Sequence, residues 1–194
     1  YDKSTLLTIL SSALDHHLSH RKVADDLKAY SKSIGLLQEG TFSFRTMEEA
    51  KDLSFCVANI FPDPAKVVFG LNELTVNAVE HGNLGITNEE KRDLLLSGTW
   101  ADEIEKRQLI PENQEKYATL SVKSDGEDLI ITITDMGAGF DYSKFQTIDN
   151  SKMTDPNGRG IAMSMAYSFD KMEYQGKGNI VICTVSKKAE ADIF

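Results

Sequence analysis

The sequence predicts an α+β fold: a two-layer sandwich of an antiparallel or mixed sheet and helices, preceded by a helical arm. Three observations predict it. Residues 1–40 place apolar side chains at alternating spacings of three and four, and residues 47–81 hold two more helical patterns. From residue 117 onward the texture turns to β-branched, alternating runs broken by glycine turns. The chain has 194 residues, 41% of them hydrophobic and 26% charged, which is enough for a core and argues against disorder. At roughly 150 residues per domain this is one domain plus an appendage.

In the arm, Leu6, Ile9, Ala13, His16, His20, Val23, Leu27, Tyr30, Ile34 and Leu37 form a heptad seam, with Gly35 and Gly40 marking its stop. His16, His17 and His20 invite a metal or phosphotransfer site, but no carboxylate cluster accompanies them, so they read as imidazoles in or beside the seam. We expect the arm to dimerise or to connect to an upstream domain. The chain begins at Tyr1 rather than Met, which fits a piece of a longer protein.

Thr41–Thr46 alternates polar and aromatic residues and predicts a short strand. Met47–Phe61 follows as an amphipathic helix whose apolar face is Ala50, Leu53, Phe55, Val57, Ala58 and Phe61, stopped by Pro62 and Pro64. A second helix runs from Pro64 to His81, entered through proline and ended by Gly82 and Gly85. Residues 86–116 hold eight acidic residues, five basic ones and the only tryptophan, Trp100. They read as an insertion of one or two surface helices with a mobile join. Tyr117–Lys123 and Asp128–Thr134 are strands, with Asp125-Gly126 as their hairpin turn. Residues 135–140 make a glycine-bearing turn, 141–157 a polar loop, and Gly160–Tyr167 a helix. Phe169–Gln175 and Ile180–Ser186 close the fold as a strand pair joined through Gly176-Lys177-Gly178.

Composition also excludes classes of function. Thirty acidic against 21 basic residues give a net charge of −9, and no basic stretch tracks a phosphate backbone, which excludes nucleic acid. No apolar run reaches the roughly 18 residues of a membrane span. Cys56 and Cys183 lie far apart and read as core residues in a reducing cytoplasm.

Three motifs carry chemistry. On the helix ending at His81, Glu73 and Asn77 are four residues apart and share a face, which His81 continues one turn later. A carboxylate, an amide oxygen and an imidazole in line suit a cation and a phosphate, since magnesium takes oxygen ligands and keeps several waters. Asp135 ends an apolar strand and opens Asp135-Met136-Gly137-Ala138-Gly139, where a carboxylate beside glycines suits an exocyclic amine. Gly158-Arg159-Gly160 opens a helix after a polar loop, and free amides at a helix start favour phosphate. Each motif alone also fits a polar helix face, an ordinary turn or a cap.

Their order over residues 41–188, with the string Asn77-Ala78-Val79-Glu80-His81-Gly82-Asn83, resembles the GHKL ATPase superfamily with its Bergerat nucleotide-binding fold. Within it the chain is most similar to the bacterial anti-sigma-factor serine/threonine kinases. The resemblance implies ATP and Mg2+ as cofactors, Asn77 as the magnesium ligand and Glu73 as the general base toward a partner's serine or threonine. It further implies that Asp135 holds the adenine amine, that Gly137 and Gly139 line the base, and that His81 sits at the pocket edge. Residues 141–157 would form the lid, Gly158 and Gly160 its hinge, and Arg159 a phosphate contact. Where the family begins its closing strand Gly-Thr, this chain has Gly178-Asn179, so Asn179 takes that position with a different reach.

The function implied is a cytoplasmic kinase that phosphorylates an anti-sigma-factor antagonist and sequesters a sigma factor or similar regulator. A homodimer is expected, and an upstream receiver domain would join through the arm. Two alternatives are the catalytic domain of a sensor histidine kinase, which usually carries Asn at the position of Glu73, and a non-catalytic nucleotide-binding scaffold.

Overall fold

The computed structural model describes residues 33–142 and 159–187. The arm's seam from Leu6 to Tyr30 with its three histidines, the lid from residue 143, Gly158 and the side chain of Arg159 lie outside them. From Leu37 onward the chain forms one unit.

Strand β1 spans Glu39–Phe44, two residues earlier than the alternation suggests. Thr46 is not free to extend it because it caps the next helix. Its hydroxyl accepts the Glu49 N–H at 3.1 Å, while the Glu49 carboxylate accepts the N–H groups of Thr46 at 3.0 Å and Arg45 at 2.7 Å. Helix α1, Met47–Ala58, buries Met47, Ala50, Ser54, Val57 and Ala58. Phe55, expected on that face, is 62% exposed. Ser54 takes the inward place instead, because its hydroxyl is satisfied by the Ala50 carbonyl at 2.7 Å and shares a 2.8 Å hydrogen bond with Thr75 of the next helix. Cys56 also faces outward; only Cys183 is buried.

Asp63 caps helix α2, Pro64–Asn77, by accepting the Lys66 N–H. Winding does not stop at His81. It widens into a π turn over Ala78–Asn83, with the Leu84 N–H reaching back five residues to the Val79 carbonyl.

The insertion holds α3 (Asn88–Ser97), α4 (Trp100–Gln108) and the short α5 (Pro111–Gln114). Sequence suggested surface helices, and the helices are there, but they are anchored to the π turn. Glu80 is fully buried, and its two oxygens accept Trp100 Nε1 and Lys91 Nζ, each at 2.6 Å. Arg107 donates to the carbonyls of Leu84 and Gly85, and Lys116 to that of Asn83.

The sheet is antiparallel throughout, in the order β1-β2-β3-β5-β4, with β2 Ala118–Asp125, β3 Asp128–Thr134, β4 Lys171–Gln175 and β5 Ile180–Ser186. Asp125 pairs with Asp128, so the hairpin turn is Gly126-Glu127, one residue later than expected. β4 starts at Lys171 because Phe169 is buried beside Gly70 in the helical layer. Leu120, Val122, Leu129, Ile131, Ile133, Val181, Cys183 and Val185 form the buried inner face. Helices α1, α2 and α6 (Arg159–Tyr167) supply the other layer, so the α+β sandwich expected from sequence is the fold observed. No described helix is long and apolar enough to cross a membrane.

Replacing Glu80 should cost more than any surface change in the insertion. Glu80→Ala leaves the Lys91 ammonium and the Trp100 N–H without their partner, and breaking such a buried pair costs about 3–5 kcal/mol. Leu96→Ala, at an 81% exposed position, should fall within about 0.5 kcal/mol of wild type. Urea unfolding of the two variants beside wild type checks the contrast.

Candidate functional site

A cavity of about 930 Å³ opens between the helical layer and the ends of β3 and β5. Helix α2 gives it Glu73 and Asn77, the π turn gives His81, the turn after β3 gives Asp135 and Gly139, and α6 gives Gly160.

Glu73 and Asn77 meet as their spacing requires. The Asn77 amide donates Nδ2 to Glu73 Oε1 at 3.3 Å, which leaves the Asn77 oxygen without a partner among the described residues. The first turn of α6 lies hard against this pair: a Cβ added to Gly160 would stand 1.8 Å from Glu73 Oε1. Only glycine lets the helix start come so close.

Asp135 is held from three sides. Its N–H donates to the Asn179 carbonyl at 3.0 Å, its own carbonyl accepts the Asn179 side chain at 2.9 Å, and its Oδ1 accepts the Gly137 N–H at 2.7 Å. A Cβ on Gly82 would lie 2.5 Å from the Asp135 carboxyl carbon, and one on Gly137 would lie 2.2 Å from the Gly82 carbonyl oxygen. Asn83 completes the join by accepting the Met136 N–H at 2.9 Å. Burial pushes the Asp135 carboxyl above its ordinary value, against the pull of the Gly137 N–H and the Lys177 charge.

The loop after Asp135 is stitched to the β4–β5 turn. The Phe140 N–H donates to the Lys177 carbonyl, and Gly139 and Gly178 have φ of +81° and +93°, open to glycine at little cost. His81 pairs through Nδ1 with the Ile86 carbonyl; a carbonyl only accepts, so the proton sits on Nδ1. Its Nε2 stands 3.9 Å from Glu80 Oε2.

The structure therefore brings Glu73, Asn77, His81, Asp135, Gly139, Gly160 and Asn179 to one cavity. Gly137 is buried against Gly82 and shapes the wall from behind. Asn179 spends its side-chain N–H on the Asp135 carbonyl, so it fixes the carboxylate's backbone. Sequence reasoning missed Tyr174, whose only signal is that it shares the inward parity of Met172 on β4. It also missed that Lys91 and Arg92 of the insertion reach the cavity wall.

Residues 44–185 match the histidine kinase-like ATPase domain. The chain belongs to the histidine kinase-like ATPase family. This is the GHKL superfamily that the three motifs resemble, and its ATP-binding fold is the sandwich described above. No curated protein matches the chain.

The residues present fit what members of the family bind. Asp135 Oδ2 has no hydrogen-bond partner among the described residues and can accept an exocyclic amine, since Oδ1 already takes the Gly137 N–H. Asn77 offers one free oxygen, the sort of ligand magnesium takes alongside water and substrate phosphate. Among the described residues no group of three His, Cys, Asp or Glu could hold a metal.

Burial of Asp135 gives a pH signature. Its folded value is raised, so ionisation opposes folding, and the stabilising proton is lost as pH rises through that raised value. Asp135→Asn should therefore be more stable than wild type at neutral pH. The advantage should shrink as pH falls through that raised value and be gone below the unfolded carboxylate value of about 3.9. Thermal melts of both proteins across pH 3–8 check it.

Proposed function

We propose that this domain is a Mg·ATP-dependent serine/threonine protein kinase of the anti-sigma-factor type. The observation that carries the proposal is Glu73 seated 3.3 Å from the Asn77 amide on the wall of the cavity that also holds Asp135. Asp135 receives the adenine amine at one end. Asn77 supplies an oxygen to the metal. Magnesium held there would supply charge neutralisation to the phosphates.

At the other end, Glu73 accepts the proton of a partner's serine or threonine hydroxyl as that oxygen bonds to the γ-phosphorus. The bond from the γ-phosphorus to the bridging oxygen breaks and ADP leaves. The start of α6 at Gly160 lies directly against the Glu73 carboxylate at this end. A carboxylate here favours a hydroxyl acceptor over an imidazole, which needs no strong base. This supports the serine/threonine reading over the sensor histidine kinase.

The partner is an anti-sigma-factor antagonist, and the regulated target a sigma factor or similar regulator. We place the protein in the cytoplasm as a homodimer, with an upstream receiver joined through residues 1–40.

Titration calorimetry with ATP should show magnesium-dependent binding that Asn77→Ala loses. Given an antagonist protein and Mg·ATP, wild type should form an acid-stable phosphoserine or phosphothreonine. Glu73→Gln should bind ATP nearly as well but transfer phosphate about 10²–10⁴-fold more slowly. An unchanged rate in Glu73→Gln removes the base assignment, and an acid-labile phosphate on this chain replaces the acceptor by histidine. Normal binding with no transfer leaves the scaffold.

A further inference from the structure

Among the described residues Tyr174 is the one aromatic hydroxyl on the cavity wall, and none of the roles above uses it. It lies on β4 opposite Val181, on the inner face of the sheet. Its ring is fixed by neighbours: Phe140 meets it edge-on at 5.0 Å between centroids, and Tyr142 stacks on it at 6.0 Å. Among the described residues its hydroxyl has no hydrogen-bond partner, and the residue is half-buried. A phenol on a cavity wall has a donor to offer a guest.

Tyr174 shares the cavity wall with Glu73, Asn77 and Asp135. The cavity therefore presents this residue to the same guest as the groups assigned to the base and to phosphate transfer. Burial first, then Cys183, Glu73 and Asp135, push its pKa far above the ordinary tyrosine value, so it remains a donor at physiological pH. A neutral donor suits this position. It pairs with an anionic oxygen without adding charge, and it does not titrate beside Glu73.

We propose that the Tyr174 hydroxyl donates a hydrogen bond to a non-bridging oxygen of the α- or β-phosphate of the bound nucleotide, and so positions the phosphate chain between Asp135 and Asn77. This rests on the nucleotide reading of the cavity and adds a residue outside the three sequence motifs.

Tyr174→Phe removes one oxygen and keeps the ring that Phe140 and Tyr142 pack against. Calorimetric titrations with adenosine, AMP and ADP, on wild type and variant, test the assignment. A hydrogen bond to a charged group corresponds to about 10- to 100-fold in affinity. The variant should bind ADP weaker by that factor and adenosine as well as wild type does. A loss already present with AMP places the bond on the α-phosphate, and a loss appearing only with ADP places it on the β-phosphate.

Equal weakening of adenosine and ADP would overturn the proposal, because the hydroxyl would then serve the base, the sugar or the packing. An unchanged ADP affinity would also overturn it. Asp135→Asn separates the two levels of inference, since it should weaken all three ligands alike. Wild-type protein that takes none of the three removes the nucleotide reading and this proposal with it.

Discussion

The site depends on how closely two backbones approach at Gly82 and Gly137. No side chain separates the π turn from the loop after β3, and the contact leaves no room for a methyl group on either residue. That contact sets the gap between the helical layer and the sheet at the cavity. It brings the Asp135 carboxylate under the helix that carries Asn77 and Glu73, and Asn83 locks the distance through the Met136 N–H. The carboxylate is partly desolvated as a result, and its raised pKa is the cost of being placed there. Asn179 shows how firmly the chain holds that position, since it bonds both the N–H and the carbonyl of Asp135.

The π turn explains why the insertion and the cavity share a wall. One extra residue in the turn directs Glu80 away from the cavity into the insertion, while His81 stays on the cavity side. Glu80 is then enclosed as a charge and satisfied by two donors from separate helices. An enclosed ion pair of this kind adds little net stability but strongly fixes which arrangement of helices is allowed. The insertion is thereby held in one orientation against residues 80–85, the segment that also meets Asp135.

Much of this was legible in the sequence, and the failures have physical causes. β3 and β5 fall at the predicted bounds because alternating β-branched residues signal a half-buried strand with little ambiguity. Glu73, Asn77 and Asp135 were legible because a four-residue helical spacing and a strand-ending Asp-x-Gly fix geometry locally. Phe55 was misread because hydrophobicity alone ranks phenylalanine above serine as a core residue. Only the partner Thr75, 21 residues on, makes Ser54 the better choice. The Glu80 anchor was invisible for the same reason, since Lys91 and Trp100 stand 11 and 20 residues away. Tyr174 carried no motif, and its importance appears only once β4 is paired and the cavity closed over it.

Lys116 donates to the Asn83 carbonyl at 2.9 Å, so the segment that leaves the domain after residue 83 is clasped where it returns, 33 residues later. Because its two ends already meet, lengthening or shortening the excursion changes the chain entropy only slowly. Residues 86–116 are thus a cassette whose length can vary in its outward loops at little cost to the scaffold that carries the cavity. The freedom has one condition. Glu80 lies in the scaffold but is neutralised by the cassette, so a lineage that trims the cassette must replace that carboxylate as well.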